Sequence, residues 1–289
     1  CLLSPISSEP TNMVAIVNAI NVVLTLIFDV ICWPFRALAP IWALTVISLI
    51  SGIFLVWLFG KTSDQDRIRE IRDRIRGNLI GVRLFQHDIG VVLRLQGKIF
   101  GDTFRFMGLA LVPMLIMIVP VVLIMTQLNL RFAVHPLEAG QAVLVKALVR
   151  NAAALDGPIA IEVPDGVTLE TPPVKIRSTR EVVWRLSVDR PGTHTLLVRL
   201  GDETLKKQLV GGERWGRVVQ RRTGRGLFDT LLYPGEPPIA ASHGLEAVEI
   251  GYPPLEMRLF GFGVDWLIGF LILSMAFGFA FKGVLGVEV

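Results

Sequence analysis

Two long uncharged apolar runs constrain this chain more than anything else in it. Ile41 to Gly60 (IWALTVISLISGIFLVWLFG) holds 20 residues without a charge, and Met107 to Leu130 (MGLALVPMLIMIVPVVLIMTQLNL) holds 24. About 20 apolar residues cross the hydrocarbon layer of a bilayer as a helix, so both runs read as membrane spans. Pro113 and Pro120 in the second are tolerated in a span when neighbouring groups repair the lost backbone bonds. A third span is expected around Leu259 to Phe281, uncharged from Trp266 onward, with Asp265 near its start as an interfacial rather than a buried charge. Composition agrees: 52% of the 289 residues are hydrophobic and 19% charged, and the mean hydropathy of +0.57 exceeds what a water-facing surface sustains. A net charge of +4 is too small a field to imply nucleic acid.

Orientation follows from the basic residues. The loop from Lys61 to Arg105 carries ten Lys and Arg in 45 residues, and Lys282 follows the third span. The positive-inside bias places both on the cytoplasmic side, so residues 131–257 and the N-terminus lie outside and the C-terminus inside, with the plasma (inner) membrane as the expected location. Trp42 and Trp266 then share the outer interface, where aromatic belts form. Before the first span, Asn18, Asn21, Thr25 and Asp29 recur at spacings of 3, 4 and 4 along an otherwise apolar helix from Asn12 to Trp33. One polar stripe on an apolar helix favours the interface plane; the alternative is a fourth span with its stripe packed on protein. Pro34 and Pro40 then bend the chain, with Arg36 at headgroup level. Cys1 in place of a Met reads as a clipped or a lipid-modified terminus.

Between the first two spans, Ile68, Ile71, Ile75, Val82, Phe85, Ile89 and Val92 keep the spacing of a coiled-coil seam. A helical hairpin is expected, reversing at Phe85 to Gly90 with Asp88 capping its second arm. Arg67, Arg69, Arg72, Arg74 and Arg76 form a basic face, either solvated or against lipid headgroups, or docking an anionic partner. From Arg131 the period changes to two. Val182, Trp184, Leu186 and Val188 alternate with outward residues, and Leu196, Val198 and Leu200 repeat this after Pro191-Gly192. Further strands are expected at Gln141–Val149, Pro158–Val163, Val174–Arg177 and Thr204–Val210. Seven or so short strands without a Cys pair suggest an immunoglobulin-like sandwich with Trp184 in its core, a binding or spacing module. Residues 213–257 read as a basic Pro/Gly-rich linker in which Leu227, Phe228, Leu231 and Leu232 form a helical turn resting on the membrane, or a loop packed on the sandwich.

The expected organisation is therefore an integral membrane α-helical protein of three spans with a cytoplasmic hairpin and an extracytoplasmic all-β sandwich. Its parts are 1–40 (N-terminal segment with the interfacial helix), 41–60 (first span), 61–106 (hairpin), 107–130 (second span), 131–212 (sandwich), 213–257 (linker) and 258–289 (third span and short tail). His87, His135, His194 and His243 lie in separate segments, Cys1 and Cys32 have no metal or redox spacing, and no nucleotide or hydrolase motif occurs. No enzyme, metal or cofactor is expected. Thr45, Ser48 and Gly52 on the first span, with Ser51 adjacent, and Ser274 and Gly278 on the third mark either close helix packing or a polar groove.

An amphipathic helix, a span, a basic helical hairpin, a proline-bearing span and a later third span follow one another in the order of the YidC/Oxa/Alb insertase superfamily. Over about residues 12–130, most closely from Trp42 through GIFLVWLFG into the hairpin and then LVPMLIMIVPVVLIM, the chain resembles that family in layout. Its span count is similar to that of the archaeal and endoplasmic-reticulum members, including the third subunit of the ER membrane complex. The resemblance implies a membrane-protein insertase or biogenesis factor with a lipid-open polar groove formed by Thr45, Ser48 and Ser51, with Thr126 and Gln127 toward its outer end. It implies the bilayer and nascent membrane-protein segments as partners. Ser51 stands where bacterial members usually carry a groove arginine, and the outer sandwich is foreign to the family core. The alternative is a membrane-anchored module that binds or scaffolds other envelope proteins. Cysteine-accessibility labelling in intact cells tests the orientation: Cys at Gly192 should react with an impermeant reagent from outside, and Cys at Arg76 should not.

Overall fold

The computed structural model describes residues 9–224, 226–259 and 261–287. Cys1 and Arg225 lie outside them, as does the side chain of Leu227. Helices form where the sequence holds helical spacing: α1 (Glu9–Cys32), α2 (Pro40–Thr62), α3 (Gln65–Leu84), α4 (Ile89–Phe132), α5 (Leu227–Leu232) and α6 (Trp266–Leu285). Four of these regions, α1 with the 3-10 turn that follows it, α2, α4 and α6, are long and apolar enough to cross a membrane. A separate antiparallel β region lies between α4 and α6. By contacts the chain forms two compact units, residues 9–43 with Leu123–Trp266, and Leu44–Val122 with 267–287.

In the second unit, α3 and α4 are the two arms of a hairpin. Asp64 Oδ1 accepts a hydrogen bond from Arg67 N at 3.2 Å and caps α3. Asp88 Oδ1 accepts one from Val91 N at 3.1 Å, so the reversal falls at Phe85–Asp88, inside the window its polar cap marks out. Ile68 and Ile71 are buried and Ile75, Val82 and Val92 half-buried, but Phe85 and Ile89 are exposed. The apolar seam stops at the reversal because residues there have no opposing arm to face. Helices α2 and α6 approach closely: a Cβ on Gly52 would lie 2.5 Å from Ser274 O, and one on Gly278 would lie 3.1 Å from Val56 Cγ2. Small residues permit this contact, as the spacing of Gly52, Ser274 and Gly278 suggests.

In the first unit the strands are β1 (Ala142–Val149), β2 (Ile159–Glu162), β3 (Val167–Leu169), β4 (Val174–Ile176), β5 (Glu181–Val188), β6 (Gly192–Leu200), β7 (Glu203–Gly211), β8 (Arg221–Thr223), β9 (Leu245–Ile250), β10 (Met257–Leu259) and β11 (Phe262–Val264). One sheet runs β3-β5-β1-β9-β8 with β4 also on β5, a second runs β2-β6-β7, and β10 and β11 form a hairpin. The first two share one core, with Trp184, Leu186, Val145 and Ile250 from one and Leu196, Val198, Leu205 and Leu209 from the other. Alternation explains it: inward positions of β5 and β6 are apolar at period two. Gly201, with φ +58°, closes the two-residue turn between Leu200 and Glu203, a conformation that favours glycine.

The sheet extends beyond residue 212, which corrects the reading of 213–257 as a linker. β9 pairs with β1 from Val145↔Ile250 to Val149↔Leu245, and β8 pairs with β9. Without β9, β1 would present an open edge of unpaired N–H and C=O groups. The strand LEAVEI hides in the sequence because its alternation is broken, Ala247 and Val248 both being buried, and its register shifts at Leu148/Val149. In urea denaturation followed by far-UV circular dichroism, a 131–212 fragment should be less stable than a 131–259 fragment. Trp184→Ala should cost about 3–5 kcal/mol in the longer one. Equal stability of the two fragments would remove β9 from the core.

Candidate functional site

Helix α1 is polar inward and apolar outward. Asn21, Thr25, Phe28 and Cys32 are buried at spacings of 4, 3 and 4, and Asp29 is half-buried, while Ile16, Ile20, Val22, Val23, Leu26, Ile27 and Val30 are exposed. Water would oppose such a surface, whereas acyl chains would cover it. The polar stripe packs on protein, on the end of α4 and on the segment 215–236, all within the first unit.

Arg131 organises the contact. The residue is 1% exposed. Nη1 donates to Gln127 O at 2.9 Å and to Gln127 Oε1 at 3.0 Å; Nη2 donates to Thr25 O at 2.9 Å and to Asp29 Oδ1 at 2.6 Å. Its Cζ lies 5.6 Å from the Phe28 ring centroid, a cation–π distance. Arg217 Nη1 reaches the other Asp29 oxygen at 3.4 Å. Thr25 Oγ1 donates to Gln127 Oε1 at 3.2 Å, and Asn21 Nδ2 donates to Thr230 O on α5 at 2.7 Å. Next to Arg131, Phe132 stacks on Trp215 with centroids 5.4 Å apart, and Trp215 Nε1 donates to Leu38 O at 2.9 Å. Burying a charge without a partner is costly, so Asp29 and the carbonyls fix where α1 can sit on the end of α4.

A pocket of about 210 Å³ opens beside this cluster, lined by Asn18, Asn21, Val22, Thr25, Leu26, Arg217 and residues 235–237. Glu236 in its wall belongs to a buried ion pair: Lys207 Nζ donates to Glu236 Oε2 at 2.8 Å and to Val219 O at 2.6 Å. Burial pushes the Lys207 ammonium below its ordinary pKa, and the Glu236 carboxylate opposes that shift. Below the ordinary lysine range the unfolded chain then binds the proton more readily than the folded one, so this group's contribution to stability rises with pH in that window.

The expected groove residues divide between the two units. Ser48 is fully buried and Ser51 nearly so, beside the close approach at Gly52, and Ser48 Oγ has no hydrogen-bond partner among the described residues. Thr126 and Gln127 are buried in the first unit, Gln127 inside the Arg131 cluster. Of the arginine face, Arg67, Arg69, Arg74 and Arg76 are exposed and Arg72 half-buried. Arg67 pairs with Asp64, Arg74 with Glu70 and Arg76 with Asp73, while Arg69 Nη2 donates to Gly286 O at 3.5 Å. Exposed pairs of this kind contribute about 0–1 kcal/mol each. Arg131, read in the sequence only as the residue that stops a span, is the functional residue that reading missed. The available signal was charge scarcity: Asp29 is the one carboxylate between residues 10 and 63, and Arg131 ends an uncharged run from Phe106. Among the described residues no group of His, Cys, Asp and Glu could hold a metal ion. No protein-family model matches the chain, and no curated protein matches it.

Asp29→Asn removes the half-buried carboxylate and leaves the buried Arg131 guanidinium without its counter-charge, so the folded protein should lose about 3–5 kcal/mol in a denaturation measurement. Arg131→Met combined with Asp29→Leu should recover most of that loss, and a double variant no more stable than Asp29→Asn would contradict the pairing.

Proposed function

We propose that the protein is a membrane-protein biogenesis factor of insertase type, which takes apolar segments of other membrane proteins from the cytoplasmic side into the bilayer. The supporting observation is a stripe on α4. Leu93, Phe100, Phe104, Met107, Leu111, Met114 and Ile118 recur at spacings of 7, 4, 3, 4, 3 and 4, and all are more than half exposed. The stripe lies on one face of one continuous helix. From Ile89 to Phe106 the helix reaches about 27 Å beyond the expected span, so the stripe would lead from water into lipid. At the reversal Leu79, Ile80, Leu84, Phe85 and Ile89 are exposed too, beside Arg76 and Arg83. An apolar client segment fits such a track, and the arginines fit acidic flanking residues.

In this reading α2, α4 and α6 cross the inner membrane with the hairpin in the cytoplasm and the β region outside, as an immunoglobulin-like sandwich. Helix α1 lies in the outer interface with its polar stripe on the base of the sandwich and its apolar faces in lipid. The burial of Ser48 and Ser51 favours the second reading, an anchored envelope-binding module, because packed serines offer a client no hydrated path. Two measurements separate them. A photo-crosslinker at Phe100 should capture a nascent membrane protein, and Phe100→Glu with Phe104→Glu should reduce client insertion several-fold in a folded protein. Cys at Ser48 or Ser51 should react with a small polar thiol reagent only if a client path opens there, whereas Gly52→Leu should disrupt assembly in either reading. No crosslink together with normal insertion would leave the anchored module.

A further inference from the structure

The pocket beside α1 has an unbalanced set of polar groups. Asn21 is 2% exposed, and because its Nδ2 is committed to Thr230 O, the amide orientation is settled and Oδ1 is the atom without a partner. A buried acceptor with no donor calls for one. On the same wall Arg217, with its side chain 43% exposed, shares Asp29 with Arg131, so two guanidinium groups face one carboxylate, while the other wall carboxylate, Glu236, is committed to Lys207 Nζ and Gln208 N; Arg217 is therefore the wall group open to an anion. Asn18, also in the wall, is exposed and supplies a further amide. Of the other wall residues of α1, Thr25 is buried and bonded to Gln127, and Val22 at 53% and Leu26 at 60% exposed carry the pocket into the outward apolar face of the helix. A ligand matching all of this has an anionic group, an N–H donor a short distance from it, and an apolar body.

We propose that this pocket binds a phospholipid whose headgroup carries a primary ammonium, as in phosphatidylethanolamine, with the phosphate on Arg217, the ammonium donating to Asn21 Oδ1, and the acyl chains lying along Val22 and Leu26. The site rests on the interfacial placement of α1 in the reading above. A volume of about 210 Å³ admits a headgroup and excludes the chains, which stay on the exposed face. Specificity comes from the donor: a choline headgroup offers the same phosphate and positive charge but no N–H, and would leave Asn21 Oδ1 unpaired. Binding would also tie the segment 215–236 to α1 through one more shared ligand, setting the docking of the β region by the lipid around it.

The test is lipid retention by the full-length protein in mixed nanodiscs, read by native mass spectrometry. At equal mole fractions phosphatidylethanolamine should be retained about tenfold over phosphatidylcholine, a difference of about 1.4 kcal/mol. The N-methyl and N,N-dimethyl lipids, which keep an N–H, should be retained like phosphatidylethanolamine, and the preference should fall at the third methyl. Asn21→Leu should abolish the preference, Arg217→Gln should weaken retention of every phospholipid, and Asn18→Ala, at an exposed position that leaves folding intact, should weaken retention in part. Equal retention of the two parent lipids, or a preference that survives Asn21→Leu, overturns the proposal. So does glycerophosphoethanolamine competing as well as the intact lipid, which would make the ligand a soluble headgroup. Client insertion measured on the same variants keeps the two ideas apart: a lipid preference in a protein that inserts nothing defeats the biogenesis reading alone.

Discussion

The Arg131 guanidinium is the point from which the first unit is hung. A cation withdrawn from water at the end of an apolar helix is tolerated only where acceptors surround it, and here they come from Gln127, Thr25 and Asp29. Two of these belong to a helix a hundred residues earlier in the chain. The consequence is geometric: α1 cannot slide by one turn along α4 without parting Arg131 from Asp29 and from Thr25 O. The neighbouring Phe132–Trp215 stack and the bond from Trp215 to Leu38 hold the same junction from the other side. Such a pair adds little net stability over a well-packed apolar replacement, but it selects one arrangement out of many apolar ones.

With its polar groups so occupied, α1 turns its aliphatic residues outward, and α4 does the same along its exposed stripe. The two surfaces ask for different coverings. That of α1 is broad and aliphatic and suits acyl chains, with the pocket of Asn21 and Arg217 at its side. On α4 Ile89, Leu93, Phe100 and Phe104 are exposed along the hairpin arm, and from Met107 to Val119 apolar residues are exposed on several faces, among them Val112, Leu115, Ile116 and Val119. Helices α2 and α6, by contrast, turn small residues toward one another and pack closely at Gly52, Ser274 and Gly278.

The β region shows where local pattern carries and where it does not. Strands β1, β5, β6 and β7 lie where period-two alternation puts them, because each has one face on the common core. Strand β3 has a single buried position, Val167, and β9 is bulged, so neither shows a sustained alternation before its partner is known. Both are held by pairing, β3 to β5 and β9 to β1, and pairing is a long-range property. The same holds for the hairpin: the cap at Asp88 is written locally and its reversal is found at once, whereas the end of the apolar seam at Phe85 depends on where the opposing arm stops.

The sequence by itself determined that this is a chain of long apolar helices with a β region inserted late, because charge-free length and alternation are local properties that a bilayer or a sheet face reads residue by residue. It also held the small-residue spacing of Gly52, Ser274 and Gly278, since the absence of a side chain is visible wherever it lies. Only the tertiary structure decided the role of the rare polar groups. Asn18, Asn21, Thr25 and Asp29 are a stripe in either case, but whether that stripe meets water, lipid or protein depends on Arg131, Gln127, Arg217 and Thr230, which are far away in the chain. A polar group in an apolar setting is placed by its partner, and the identity of the partner is information that no window of neighbouring residues contains.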